Sequence, residues 1–246
     1  MTYNLKYIKI YLPTIVFLWL GLFLDSASFA NISQHGQLIT NILILPIFFW
    51  TYTQTSKQVK QLMIFGLLLA TLGEIVFSLL LGMYTYRLEN LPLYVPFGHS
   101  LVYASVYYIV KEPIIKQHEE RIIQLLYFSI LLYSTLWLIF SSDVFGFLCM
   151  LVIIAIFKRR PHTKLFFLVM YFMIVYLELL GTYYECWSWP EIWFGVIEYI
   201  PSANPPSAIS VFYFGFDAGC LWLYKKFFPL KWKRFKAIKA TKVISS

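Results

Sequence analysis

Residues 61–82 read QLMIFGLLLATLGEIVFSLLLG. A helix rises about 1.5 Å per residue, and a bilayer core takes about 20 apolar residues, so this run is long enough to cross a membrane. Its sole ionisable side chain is Glu74. Similar runs on either side extend the reading to the whole chain. Spans are expected at 8–24, 37–53, 61–82, 93–110, 122–140, 144–157, 165–184 and 208–224. Hydrophobic residues make up 60% of the 246 and charged residues 13%, about half the charged share that keeps a soluble domain wet. The expected fold is all-α: a polytopic membrane bundle of about eight transmembrane helices, forming a single domain over 1–246.

The placement of lysine and arginine sets the orientation. Of the 20 basic residues, all but Arg87 fall in the N-terminal segment, the 2–3, 4–5 and 6–7 connections, or the tail 225–246. The positive-inside rule makes that side cytoplasmic, with both termini there. The formal charge of +8 is thus read as topology anchoring, with a share in anionic lipid binding by the tail, and no nucleic acid partner is expected. Lys6, Lys9, an apolar run and Ser28-Phe29-Ala30 also have the form of a secretory signal. A retained first helix ending at Asp25 is the preferred alternative. Asn31-Ile32-Ser33 is a glycosylation sequon if the source membrane is a eukaryotic secretory one.

Two segments share a layout. Glu74 is followed by Tyr84-Thr85-Tyr86-Arg87, Asn90 and Pro92, then Val95-Pro96-Phe97-Gly98-His99. Glu178 is followed by Trp187-Ser188-Trp189-Pro190, then Asn204-Pro205-Pro206 and Asp217. Both copies start inside, which predicts a parallel four-plus-four repeat with halves 1–118 and 119–246.

An ionisable group within a span costs a few kcal/mol and turns to a bundle interior or cavity. Thr71, Glu74 and Ser78 share one helical face, as do Glu178, Thr182 and Glu185. His99, Tyr103 and Tyr107 form a stripe on the fourth span, and Tyr213, Asp217, Cys220 and Tyr224 another on the eighth. Glu74, Glu178, His99 and Asp217 are therefore the candidate catalytic residues. Arg87, Tyr84, Tyr86, Trp187, Trp189 and Asn204 are the candidate substrate-binding ones. Each has a plainer reading: a protonated helix–helix hydrogen bonder for the glutamates, an interfacial cap for His99, an aromatic belt for the tyrosines and tryptophans. For Asn204 the plainer reading is a cap on the eighth helix. No phosphate loop, dinucleotide turn, HExxH pair or serine elbow is present. No metal or other cofactor is expected.

The glutamate, the aromatic-x-aromatic pair and the proline re-entry over Glu74–Pro96 and Glu178–Pro206 resemble integral-membrane carotenoid-biosynthesis proteins of the hydratase type. Residues 75–81, Ile-Val-Phe-Ser-Leu-Leu-Leu, depart from the glycine-rich stretch of that pattern, and neither His99 nor Asn-Pro-Pro belongs to it. The resemblance implies a carboxylic acid that protonates an alkene, with aromatic faces stabilising the cation. The expected function is a membrane enzyme, an isoprenoid or lipid hydratase, isomerase or cyclase. It would take a hydrophobic small molecule from the outer half of a plasma or inner membrane, with membrane lipids around it. A proton-coupled transporter of small molecules or lipids and a non-catalytic subunit or assembly factor are the alternatives.

Overall fold

The computed structural model describes residues 5–233. The basic tail beyond 233, including Arg234 and Lys236, lies outside the described residues. The chain is mostly helical. In order it forms α1 (Ile8–Leu24), α2 (Ala27–Ala30), α3 (Gly36–Gln54) and α4 (Lys57–Glu74), which runs on into a π-helical turn, Ile75–Leu80. Then come β1 (Thr85–Tyr86), α5 (Tyr94–Ile109), α6 (Pro113–Gln117), α7 (Glu119–Ser141) and α8 (Val144–Arg159). A 3-10 turn (Pro161–Thr163) leads into α9 (Lys164–Tyr183), followed by β2 (Trp187–Ser188), β3 (Ile192–Trp193), β4 (Ile197–Pro201) and α10 (Ser210–Phe227).

Among the described residues, four stretches are long and apolar enough to cross a membrane: Gly36–Gln54, Lys57–Leu80, Glu119–Ser141 and Pro161–Tyr183. Helices also occupy the other four apolar runs, as α1, α5, α8 and α10, which are shorter or less apolar. The surface is greasy. α7 buries only Ile130 and Ser134 and shows Leu125, Phe128, Leu132, Ile139 and Phe140 on its outside. An apolar exterior of this extent suits lipid and would associate in water.

Polar residues mark the ends. Ser56 accepts a hydrogen bond from the Val59 N–H and starts α4; Ser142, in the left-handed region, ends α7. α5 lies at the centre, against α1, α3, α4 and α9, while α10 returns between α4, α8 and α9. The Ser100 hydroxyl donates to the Met63 carbonyl at 2.8 Å, which satisfies a buried polar group where α4 and α5 meet.

Three buried acids hold the framework together. The Glu112 carboxylate accepts the backbone N–H groups of Lys6 and Tyr7 at 2.8 and 2.7 Å, closing the open N-terminus of α1. Asp143 caps α8 through the Gly146 N–H and also takes the N–H groups of Ala203 and Ser207, at 3.1 and 2.7 Å. Asp25 pairs with Arg87 and accepts from the Tyr94 hydroxyl at 2.7 Å. The Arg87 Nε–H also donates to the Asp25 carbonyl at 2.8 Å.

That pairing ties the Arg87 guanidinium to Asp25, at the end of α1, rather than to either glutamate. The eighth helix begins later than expected, at Ser210. Asn204 and its prolines belong to the preceding loop instead, where the Asn204 Oδ1 accepts the Trp189 N–H at 3.0 Å.

Candidate functional site

The π turn and the loops that follow α4 and α9 bring the two aromatic motifs together. β1 and β2 pair antiparallel, Thr85 opposite Ser188 and Tyr86 opposite Trp187. Side chains alternate across such strands, so Tyr84 and Tyr86 on one, and Trp187 and Trp189 on the other, turn the same way. They turn inward. Tyr86, Trp187 and Trp189 are buried, which sets them apart from an interfacial aromatic belt.

Each pair lands on its own glutamate. The Tyr84 and Tyr86 hydroxyls both donate to Glu74 Oε2 at 2.6 Å. The Trp187 and Trp189 indole N–H groups both donate to Glu178 Oε2, at 2.9 and 3.1 Å. In sequence the tyrosines lie 10 and 12 residues from Glu74 and the tryptophans 9 and 11 from Glu178. A π turn carries more residues than an α turn, and the one at Ile75–Leu80 accommodates the extra position. Burial and the neighbouring Glu74 carboxylate hold the Tyr84 and Tyr86 phenols well above their ordinary range. Both remain proton donors.

His99, one turn into α5, completes the first cluster: its Nε2 lies 3.0 Å from Glu74 Oε1. The imidazole stacks on the Tyr213 ring of α10 at 4.6 Å and 11°. Glu74, His99 and Glu178 line one cavity of about 70 Å³, with Tyr84, Tyr86, Trp187, Trp189 and Tyr213 around them and Phe17, Leu18 and Leu22 of α1 on one wall. Phe77 of the π turn, Phe212 and Phe216 line another part of it. A water needs about 10–15 Å³ of such space, so the cavity takes a few waters or one end of a chain rather than a whole lipid.

Two glycines make room for the aromatic rings. A Cβ on Gly181 would sit 2.0 Å from the Trp187 ring, and one on Gly73 would sit 2.4 Å from the Phe216 ring. The remaining polar positions on the expected stripes are local. Thr71 and Thr182 donate to the carbonyls of Leu67 and Glu178 on their own helix, and Ser78 to the Tyr84 carbonyl. Asp217 lines a separate, smaller cavity behind His99. Arg87 lies in an open pocket with Glu89, Glu185 and Asn204, on the far side of the β1–β2 pair from the glutamates.

Chemically, the cavity offers a carboxyl group in contact with an imidazole, a second carboxyl held by two indoles, and aromatic faces between them. Tyr84 and Trp189 lie 4.6 Å apart, and Tyr86 and Trp187 6.1 Å. A glutamate–histidine contact moves protons, and aromatic faces attract positive charge. Among the described residues no three His, Cys, Asp or Glu side chains are grouped to hold a metal ion.

Sequence reasoning missed the structural acids Asp25, Glu112 and Asp143. Each stands beside a helix end, which is the signal that would have found them. Searched against known proteins, the chain matches no family model, no curated protein and no solved structure, so its functional reading rests on this geometry.

Proposed function

We propose that the chain is an integral membrane enzyme that performs acid–base chemistry on a lipid or isoprenoid, with Glu74 as the acid and Glu178 as the second carboxylate. The observation that carries this reading is the convergence of Glu74, His99 and Glu178 on one aromatic-walled cavity. Glu74 gives a proton to an alkene carbon. The resulting cation is stabilised by the Tyr84, Trp189 and Tyr213 faces and by the Glu178 carboxylate. A base then removes a proton from a neighbouring carbon, for an isomerisation or cyclisation, or from an attacking water, for a hydration.

The same proposal includes eight spans, both termini in the cytoplasm and the cavity in the outer half of the bilayer. The basic residues and the polar loops support it. A parallel repeat is supported by the paired β1 and β2 and by the like placement of each glutamate under its own aromatic pair. Tags at Ser246 and in the 111–121 loop should report cytoplasm, and a tag near Glu191 the opposite side. Labelling of position 191 from the cytoplasm would sink the topology.

The deciding experiment is lipid profiling of cells lacking the protein, complemented with the native chain, Glu74→Gln or Glu178→Gln. The native chain should clear an apolar precursor that either variant leaves in place at normal protein levels. If both variants clear it, the carboxyls are structural, as in a non-catalytic subunit. The transporter reading finds support in Asp217, whose Oδ2 has no hydrogen-bond partner among the described residues. It requires a second conformation that opens from Asp217 to the cytoplasm wide enough for cargo.

A further inference from the structure

A second cavity, of about 20 Å³, lies behind His99 and is lined by Gly66, Ala70, His99, Tyr103, Asp217 and Cys220, among others. His99 borders both cavities. The volume holds one water, and a buried water needs two to four polar partners. Three are present: the Asp217 carboxyl, the Tyr103 hydroxyl and the imidazole. His99 Nε2 is already on Glu74, which leaves Nδ1 for the water. The unpartnered Oδ2 of Asp217 is the kind of buried acceptor that a water satisfies.

Beyond that cavity a polar file continues along α5. His99, Tyr103 and Tyr107 follow one another at four-residue steps on one face of α5, and Lys111, in the turn just past its end, continues the spacing. Helical side chains lean toward the N-terminus, so each covers the turn nearer His99. The Tyr103 and Tyr107 rings are stacked at 6.4 Å. The Lys111 ammonium donates to the Tyr107 hydroxyl at 2.7 Å, at the exposed end of the file. The chemistry assigned to the main cavity uses none of Asp217, Tyr103, Tyr107 or Lys111.

We propose that Asp217, one water and the tyrosines of α5 form a proton inlet that recharges Glu74 through His99 from the Lys111 end of the helix. The inference rests on the acid–base reading above. A turnover that takes its proton from Glu74 and leaves it on Glu178 ends with the two carboxyls in exchanged states. Resetting needs a proton delivered to Glu74. The neutral ring takes a proton at Nδ1 from the water, the imidazolium so formed gives its Nε2 proton to the Glu74 carboxylate, and a ring flip restores the starting tautomer. That water is resupplied by the Asp217 carboxylic acid, and Asp217 by bulk water through the Tyr103 and Tyr107 hydroxyls. No heavy-atom bond changes; one proton passes from solvent to Glu74, and the one taken up by Glu178 leaves to water in the main cavity. The second cavity passes protons and excludes cargo, because it admits a single water. The titratable groups that share the two cavities with His99 are Glu74 on α4, Tyr84 and Tyr86 after it, Glu178 across the cavity on α9, Tyr213, Asp217 and Cys220 on α10, and Tyr94 and Tyr103 on α5.

The test uses the full-length protein in liposomes, sorted to one orientation. A caged proton is released on one side, and carboxyl and histidine bands are followed by time-resolved infrared difference spectroscopy. Bands are assigned by their loss in Glu74→Gln and His99→Gln. Release on the Lys111 side should protonate His99 and Glu74 promptly; release on the other side should do so more slowly. Asp217→Asn and Tyr103→Phe, each close to the native shape, should slow the first response at least about tenfold, since each removes one proton carrier. Native rates in both variants, or an equally fast response from the far side, would overturn the inlet. If Glu74→Gln abolishes lipid conversion while Asp217→Asn keeps the native response, the inlet alone fails. If Glu74→Gln converts normally, the acid–base reading fails whatever the infrared shows.

Discussion

The Glu74 and Glu178 clusters have the same outline and different chemistry. Each is a carboxylate under a pair of aromatic donors carried by a two-residue strand. Around Glu74 every partner exchanges protons: two phenols and an imidazole, each able to donate and accept. Around Glu178 both partners are indole N–H groups, which only donate. Donors fixed on one oxygen favour the charged carboxylate and cannot relay a proton. Two copies of one arrangement thus split the work that the proposed reaction needs. Glu74 is set to give and regain a proton, and Glu178 to face a developing cation and take up the proton it sheds, leaving Oε1 to meet it.

The largest expected effect comes from Glu74→Gln. The amide keeps the shape and the hydrogen bonds but gives up no proton, so conversion of the accumulated precursor should fall by about 10²–10⁴. Glu178→Gln comes next. It removes charge facing the cation, a loss on the order of 10²–10³ in rate, with substrate uptake retained. If Glu178→Gln leaves conversion intact while Glu74→Gln abolishes it, the division of roles is wrong and Glu178 is structural.

The contrast also shows what the sequence could tell. Helical periodicity was enough to turn Glu74, Glu178 and His99 to the interior, because a lone charge in an apolar helix has few other places to go. The aromatic-x-aromatic spacing was visible too. The bond from each pair to its own glutamate was not, since it depends on how the chain returns over the helix end and on the pairing of β1 with β2. The tie between Arg87 and Asp25 was hidden for a related reason. Asp25 is 62 residues from Arg87 and looked like the close of a helix. Asp143 and Glu112 stand at helix ends, which marks them as caps, but their far partners, backbone N–H groups 60 to 106 residues distant, follow no side-chain pattern.

Asp143 supplies the control for the two cavity acids. It is buried and hydrogen-bonded as they are, yet its donors are all backbone and it lies outside the main cavity. Asp143→Ala leaves three N–H groups without their acceptor and should lower stability by about 2–4 kcal/mol. Activity per folded molecule should be unchanged. Loss of activity in a fully folded Asp143→Ala protein would mean that the loop at 203–207 takes part in the chemistry. Gly181→Ala should cost less, about 1–3 kcal/mol, because a Cβ 2.0 Å from the Trp187 ring forces it to shift. The shift would loosen the Glu178 cluster first. Thermal unfolding in detergent, with and without Trp187→Leu, should show the penalty vanish once the ring is removed.

The smallest expected effect separates the two clusters most directly. Trp189→Phe keeps an aromatic face over the cavity and deletes one indole donor, while the Trp187 N–H still holds Glu178 Oε2 at 2.9 Å. One hydrogen bond to a carboxylate contributes about 1.5–3 kcal/mol at most, and the surviving donor retains part of it, so conversion should fall by about tenfold or less. Tyr84→Phe makes the same deletion beside Glu74, where the Tyr86 hydroxyl remains at 2.6 Å. There a proton-exchanging group is lost as well as a donor, so the rate should fall further than with Trp189→Phe and should recover in part when the medium is made more acidic. The Trp189→Phe defect should move the other way and recover in part when the medium is made more alkaline, because the lost indole donor weakens the hold on the charged Glu178 carboxylate. Equal losses with the same pH response in both variants would make the two clusters equivalent, leaving no basis for assigning the proton to Glu74 and the charge to Glu178.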